Sequence, residues 1–345
     1  MDYQKYFKET IVKTRELLRQ HNNKLDWEKH WEQYAEKISK YLPHISKMRK
    51  QFHEWAPLYL YMTTSDAKQA GRTIRFTLRY NGQEVAELKV RNNVTVISTA
   101  TGEKDNYNQS NKHDFDCMIE LPPKGCSWKG EQARKFRRHF TVKSKDDKSG
   151  AKPEHRLESL LLTEFSKRLA PKALTGIQPV RIAGVRYPMP TPLAACNHGI
   201  VEYTGPRGGG IDILARVGRS GKTNLCIIEL KDQNKTSEPA WHALEQAIKY
   251  AVFIRELLRS KSGAKWWKLF GFGGQRPKNL TLYAACAMPN IPNADQSFKD
   301  HEEYLVDESD PMHGGDKIKL HYIYFEECDY KEYKGKIRIP LTSLR

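Results

Sequence analysis

The rhythm of apolar and polar positions changes several times along the chain. In residues 1–56, the stretch DWEKHWEQYAEKISKYLPHISKMRKQFHEW mixes aromatic and charged residues without alternation. Trp27, Trp31, Tyr34, Ile38 and Tyr41 recur at helical spacing, which predicts a helix with those side chains in a core rather than on a base-stacking face. Residues 57–100 switch to strands. RTIRFTLRYNGQEVAELKV alternates on both sides of Asn81-Gly82, a favoured two-residue turn, and so predicts a hairpin. Its simplest register sets Glu87 opposite Phe76 and Lys89 opposite Ile74. Residues 101–113 read as a loop. KGEQARKFRRHF reads as a short basic helix, whose Arg137 and Arg138 either touch phosphate or are solvated.

The polar segment TVKSKDDKSGAKPEH, residues 141–155, marks a boundary between an N-terminal α+β domain, 1–145, and a second domain, 146–345. The second part predicts a helix over about 153–170, strands near 178–186 and 198–204, and a hairpin over 210–231. A long helix over about 238–260 follows, with Ser237 as its N-cap and Pro239 in its first turn. Strands return near 279–287 and 318–326. SKSGAKWWKLFGFGGQRPKN, residues 260–279, reads as a loop with five basic residues around Trp266 and Trp267. Lys265, Trp266 and Lys268 there, with Arg207, suit nucleic-acid contacts as well as Arg137 and Arg138 do, and packed tryptophans are the alternative.

Composition adds one strong constraint. The 345 residues carry a formal net charge of +17, with 39% hydrophobic and 29% charged residues. An excess of that size points to a polyanionic partner, nucleic acid above all, against the plainer reading of a basic solvated surface. The start is polar, with no apolar core of a signal peptide, and no stretch is long and apolar enough for a membrane span, so a cytoplasmic protein without a membrane partner is expected. The six cysteines are never two to four residues apart, so local spacing gives neither a zinc site nor an iron–sulfur cluster.

The candidate chemistry begins at LCIIELKDQN, residues 225–234, where Glu229 interrupts an apolar strand. Burying a carboxylate is costly unless something pairs with it. With Ser220-Gly221 as the turn, Arg219 faces Lys222, Ile213 faces Ile228, Ile211 faces Leu230, and Asp212 faces Glu229. Two carboxylates opposite each other in an apolar sheet repel, and a divalent cation such as Mg²⁺ relieves the repulsion. Lys231, two residues after Glu229, points to the same face and can stabilise negative charge. Other Glu-x-Lys copies, Glu87-x-Lys89 and Glu332-x-Lys334, have no acid opposite or lie in a charged surface region. Gly208, Gly209 and Gly210 precede Asp212 and either let a substrate backbone approach or form an ordinary turn. In PEHRLESLLLTEFSKRL, Glu158 sits at the edge of the Leu161, Leu162, Phe165 and Leu169 stripe, with Glu154 one turn earlier as the alternative acid. On the long helix, Gln246 and Tyr250 share a face beside the buried stripe.

The order is a helix glutamate, an aspartate on a strand, Glu-x-Lys on its hairpin partner, then Gln-x-x-x-Tyr on the next helix. This resembles the PD-(D/E)XK nuclease superfamily over roughly residues 150–330, and the Gln-x-x-x-Tyr element is similar to its RecB-type branch. The resemblance implies an α/β restriction endonuclease-like fold, an αβββαβ core whose mixed central sheet is flanked by helices. It leaves residues 1–145 for substrate recognition or regulation. It also implies Mg²⁺- or Mn²⁺-dependent hydrolysis of phosphodiester bonds. Asp212 and Glu229 would then hold the metal with the Leu230 backbone carbonyl as a further ligand and Glu158 assisting, Lys231 would act on water or on transition-state charge, and Gln246 and Tyr250 would orient substrate or Lys231. Ile211 stands where the motif's proline is usual, and the cysteine set of iron–sulfur members is absent. DNA is the expected substrate by fold analogy, and a homodimer or a partner protein is compatible with the sequence. The alternatives are an RNA-cleaving nuclease, a catalytically idle nucleic-acid-binding protein on the same fold, and a protein–protein module with a merely solvating basic surface.

Overall fold

The computed structural model describes residues 2–48, 58–63, 73–91, 94–99, 119, 121–122, 124–143, 153–165, 177–219, 222–231, 239–289 and 302–325. Helix α1 (Tyr3–Arg19) starts at Asp2, whose carboxylate accepts a hydrogen bond from the Lys5 amide at 3.1 Å and so caps a free N–H. Helix α2 (His21–Met48) carries the aromatic stripe expected of it. Trp27, Trp31, Tyr34 and Ile38 are all buried. The Trp27 indole donates to the Leu18 carbonyl at 2.9 Å, and the Trp31 ring meets Phe253 edge-on at 5.0 Å. These rings are core, and each buried aromatic of this size stabilises by about 2–3 kcal/mol.

The strands β1 (Leu58–Met62), β2 (Thr73–Tyr80), β3 (Gln83–Arg91), β4 (Val94–Ser98) and β5 (Cys126–Ser127) form an antiparallel meander. Asn81 and Gly82 both have positive φ, 47° and 81°, as a tight hairpin turn requires. A bulge between Leu78 and Arg79 corrects the simple register: Glu87 faces Thr77, and Lys89 faces Arg75. Glu87 is bridged to Arg75 and to Lys89, both at 3.2 Å, which makes this Glu-x-Lys copy a surface ion pair. Helix α3 (Glu131–Lys143) follows and buries Phe136 and Phe140.

Helix α4 (Pro153–Glu164) precedes a run of short strands. These are β6 (Ile177–Pro179), β7 (Arg181–Ile182), β8 (Val185–Arg186), β9 (Met189–Pro190), β10 (Leu193–Ala194), β11 (Glu202–Tyr203) and β12 (Gly210–Ile211). The hairpin β13 (Ile213–Arg219) and β14 (Lys222–Leu230) leads to the long helix α5 (Ala240–Arg259), the short helix α6 (Gly263–Leu269), and strands β15 (Thr281–Pro289), β16 (Glu303–Leu305) and β17 (Lys317–Phe325). The six-stranded sheet has the order β16-β17-β15-β14-β13-β6. Strand β13 is antiparallel to β6 and β14, whereas β14, β15 and β17 are parallel. A parallel step needs a long crossover, and α5 supplies it between β14 and β15.

Two expectations are corrected here. The segment 260–279 is not all loop, because α6 occupies its first half and buries Trp266 completely. Helix α5 begins at Ala240 with Pro239 as its N-cap, so Ser237, which lies outside the described residues, is not the cap. The loop expected at 101–113 also lies outside the described residues, as does most of the boundary segment 141–155. Packing crosses that segment. Strand β8 continues the meander sheet by pairing in parallel with β1, Arg186 against Tyr61. Helices α1 and α2 lie on α5 within one apolar cluster that joins both halves of the chain. A smaller cluster, Leu157, Leu161 and Leu162 of α4 with Phe165 just beyond it, against Ile213, Ala215, Cys226 and Ile228, covers the other face of the sheet. No helix among the described residues is long and apolar enough to cross a membrane.

Candidate active site

The hairpin register fixes the site. Ile213 pairs with Ile228 and the ladder runs without a slip to Arg219 and Lys222, as the sequence predicts. It does not extend to Asp212 and Glu229. The chain bends at Asp212, and Ile211 pairs with Met189 instead of Leu230. The physical reason is local: the Asp212 carboxylate Oδ2 accepts the Leu230 amide hydrogen at 2.9 Å, so a side chain takes a donor that a longer ladder would have used. The carboxyl groups still meet, since the Asp212 side chain lies within hydrogen-bond reach of Glu229.

Their environment is hostile to two negative charges. Glu229 is 1% exposed, and its Oε1 has no hydrogen-bond partner among the described residues. Burial drives its carboxyl well above the usual range, the Asp212 charge adds to the rise, and Lys231 opposes it. Asp212 is partly exposed, and its carboxyl is pushed up to about 7. Burial is again the main cause. The Leu230 amide pulls the value down, Glu158 and Glu154 push it up, and Lys231 pulls it down. Lys231 is buried beside the pair, its own amide tied to the Ala287 carbonyl at 2.9 Å at the end of β15.

The helices complete the surroundings. Glu158 on α4 is buried, 3.9 Å from His155 Nδ1, and lines a narrow cleft with Asp212, Tyr61 and Arg186. Tyr250 on α5 is buried. Burial raises its phenol first, and the Glu229 charge adds to the rise; Gln246 lies within hydrogen-bond reach of it. The Gln246 amide also points at Cys196 Sγ, 3.9 Å away. Gly209 packs against the hydroxyl of Tyr250. A Cβ there would lie 2.3 Å from that oxygen and 2.8 Å from the Leu193 carbonyl oxygen. A Cβ on Gly208 would lie 2.4 Å from the Thr191 carbonyl oxygen. Both glycines admit this protein's own atoms, not a substrate backbone.

The structure thus brings Asp212, Glu229, Lys231, Glu158, Gln246 and Tyr250 around one end of the β13–β14 hairpin. Leu230 is there too, and its N–H, rather than its carbonyl, is the group that meets Asp212. The basic candidates fare differently. Trp266 is fully buried and donates to the Trp31 carbonyl at 3.1 Å, so it is core and not a stacking face. Arg137 lies over the Trp128 ring at 4.1 Å and donates to the Trp128 carbonyl at 2.8 Å, which ties it to its own helix region. Lys265 is bridged to Glu36 at 3.0 Å. Arg138 and Lys268 are exposed, and the side chain of Arg207 lies outside the described residues.

Sequence reasoning missed Arg186. It is buried, lies 3.6 Å from the centre of the Tyr59 ring, and donates to the Tyr61 hydroxyl at 3.1 Å and to Thr163 Oγ1 at 3.2 Å. The only signal was an arginine in a run of buried residues, the same kind of anomaly that drew notice to Glu229. A second buried charge group was also missed. Glu245 and Lys249, one turn apart on α5, are paired, with Glu245 accepting from His198 at 2.7 Å and from the Gly199 amide at 2.9 Å. Lys249 donates to the Asn197 and Ile200 carbonyls, so this group staples the 196–200 loop to the helix.

Among the described residues no three side chains of the metal-binding types gather closely enough to hold an ion alone. The Asp212–Glu229 pair nevertheless fits a divalent cation of the Mg²⁺ kind, which takes one or two carboxylates and keeps waters for the rest. The unpartnered Glu229 Oε1 is the atom such an ion would satisfy. Comparison with protein-family models, curated proteins and solved structures finds no match to this chain.

Proposed function

We propose that the protein is a metal-dependent nuclease of the PD-(D/E)XK kind, hydrolysing phosphodiester bonds in nucleic acid, with DNA as the first substrate to test. The observation that carries this reading is the buried Glu229 carboxyl meeting the partly exposed Asp212 beside Lys231, with one Glu229 oxygen left without a partner among the described residues. In a purely structural role the Leu230 amide and Lys231 offset only part of the cost, and Glu229 Oε1 keeps no partner among the described residues. The element order supports the restriction endonuclease-like form of the fold: helix α4, the antiparallel strands β6, β13 and β14, helix α5 as crossover, and β15 parallel to β14. Residues 146–345 would be the catalytic unit, and the net charge of +17 suits a polyanionic substrate.

Asp212 and Glu229 would hold Mg²⁺ or Mn²⁺, with the Leu230 carbonyl at the end of β14 as a further donor. The bound ion would lower the pKa of the attacking water and offset charge on the scissile phosphate. Lys231, held by its amide to Ala287, would place its ammonium against charge developing on the phosphoryl oxygens. Glu158 would accept a proton or orient water from the α4 side. Tyr250 and Gln246 would close the α5 side and hold the carboxyl pair in place. Water adds across a P–O bond: its oxygen joins phosphorus, and the departing ester oxygen leaves with a proton.

The test is a cleavage panel of plasmid, linear duplex, single-stranded DNA and RNA, each with Mg²⁺, Mn²⁺ or EDTA. Asp212→Ala and Lys231→Ala should each lower metal-dependent cleavage by about 10²-fold or more while keeping the wild-type circular dichroism. Normal cleavage by both variants sinks the assignment. Metal-independent binding without cleavage favours an idle nucleic-acid-binding protein on the same fold.

A further inference from the structure

A second feature lies at the opposite end of the six-stranded sheet. Glu229 stands near the C-terminal end of β14 and pairs in register with Cys286 of β15. Strand β15 starts at Thr281, five residues and roughly 17 Å back from Cys286 at about 3.3 Å per residue, and Lys278 lies in the loop that leads into it. There a cavity of about 710 Å³ opens between the end of α5, helix α6 and the loop leading to β15. Its lining is rich in cations: Arg259, Lys268, Arg276 and Lys278 border it with the neutral Gln275 and with His313, Trp267 forms an apolar wall, and no carboxylate among the described residues lines it.

Four observations give this cavity chemical content. Arg259 shares the Asp316 carboxylate with Arg255, at 2.6 and 2.8 Å, and no carboxylate among the described residues pairs with Lys268, Arg276 or Lys278. Arg276 is held in place by donating to the Leu258 carbonyl, and the pKa of its guanidinium is lowered by burial first and then by the nearby charge of Arg259. Trp267 stacks on Phe272 at 3.9 Å and stiffens the wall. Gly274, with φ of 69°, lines the cavity, and a Cβ at either Gly273 or Gly274 would meet nothing within 4 Å, so the loop backbone is open to close approach. A solvated basic surface would spread such charges over a convex face. Here they converge on a concavity, and an anion relieves their repulsion.

We propose that this cavity is a phosphate-binding groove that takes the phosphodiester backbone of a nucleic-acid strand, remote from the carboxyl pair. Lys268 and Lys278 stand exposed at the rim while Arg276 sits half-buried inside. That grading suits a chain passing across the opening with successive phosphates better than a small anion enclosed within it. The groove goes beyond the proposed cleavage activity and does not depend on it. If cleavage occurs, a strand held here extends the contact well past the scissile bond.

The experiment uses the full chain in EDTA, so that binding is read without cleavage. Fluorescence anisotropy with a fluorescein-labelled single-stranded 20-mer, its duplex and the matching RNA gives the affinity over a salt series. The Lys268→Gln/Lys278→Gln variant, changed at two exposed positions, is compared with wild type, and its melting temperature checks folding. Loss of two phosphate contacts should flatten the slope of log K against log salt by about 1.5 and weaken binding at low salt. Unchanged slope and affinity on all three probes overturn the groove. A fluorescent ATP analogue forms a separate arm: if it binds wild type and not the variant while no strand binds, the strand assignment is overturned in favour of a free nucleotide.

Discussion

Replacing Asp212 by Asn should stabilise the metal-free protein at alkaline pH while removing its activity. The folded carboxyl is pushed up to about 7, against about 4 in an unfolded chain. A group raised on folding contributes its full stability below the unfolded value. That contribution is lost as pH rises through the folded value. Between pH 4 and 7 the wild type therefore loses stability at Asp212, and above 7 the loss is complete. Three pH units correspond to roughly 4 kcal/mol. Partial solvent exposure of Asp212 reduces this, and about 2 kcal/mol is the expected size. Asparagine keeps an oxygen that can accept the Leu230 amide hydrogen and carries no charge toward Glu229. Urea unfolding in EDTA at pH 5 and 8.5 measures the effect. The Asn variant should gain little over wild type at pH 5 and about 2 kcal/mol at pH 8.5. Saturating Mg²⁺ should then raise the wild-type midpoint and leave the variant's nearly unmoved. A variant less stable than wild type by the same amount at both pH values would refute the argument, because the carboxyl would then carry no raised pKa to relieve.

Three further outcomes follow from the packing. Gly209→Ala should cost about 1–3 kcal/mol through overpacking against the Tyr250 hydroxyl, and the cost should shrink in a Tyr250→Phe background, which a double-mutant cycle in urea reads directly. Trp266→Ala should cost about 3–5 kcal/mol and leave the salt slope of nucleic-acid binding unchanged, as a core residue requires; a flatter slope with intact folding would restore it to a binding role. Lys249→Met should cost about 3–5 kcal/mol by leaving Glu245 buried without its ammonium, and amide exchange should rise in residues 196–200, which that ammonium holds through two carbonyls.

Much of the local architecture was already written in the sequence. The β13–β14 register followed from a two-residue turn and strict alternation, because shifting by one residue would turn every apolar side chain to the wrong face. The stripe of Trp27, Trp31, Tyr34 and Ile38 announced a buried helix for the same kind of reason. Glu229 was legible as an anomaly, since a charge inside an apolar strand has few inexpensive explanations. The tertiary structure decided what periodicity cannot encode. The bulge at Leu78 and Arg79 moved the Glu87 pairing by one residue, and the Asp212 side chain ended the ladder by capturing the Leu230 amide. Arg186 and Tyr61 reach the cleft beside Glu158 only because β8 pairs with β1, a contact between segments more than a hundred residues apart. The basic cavity gathers Lys268, Lys278 and His313 from three separate segments, and only folding makes them neighbours. Alternation, turns and helical stripes are set by interactions between near neighbours in the chain, and so they survive in a linear reading. Long-range pairing and the meeting of charges depend on which surfaces bury each other, and that is settled by the whole core at once.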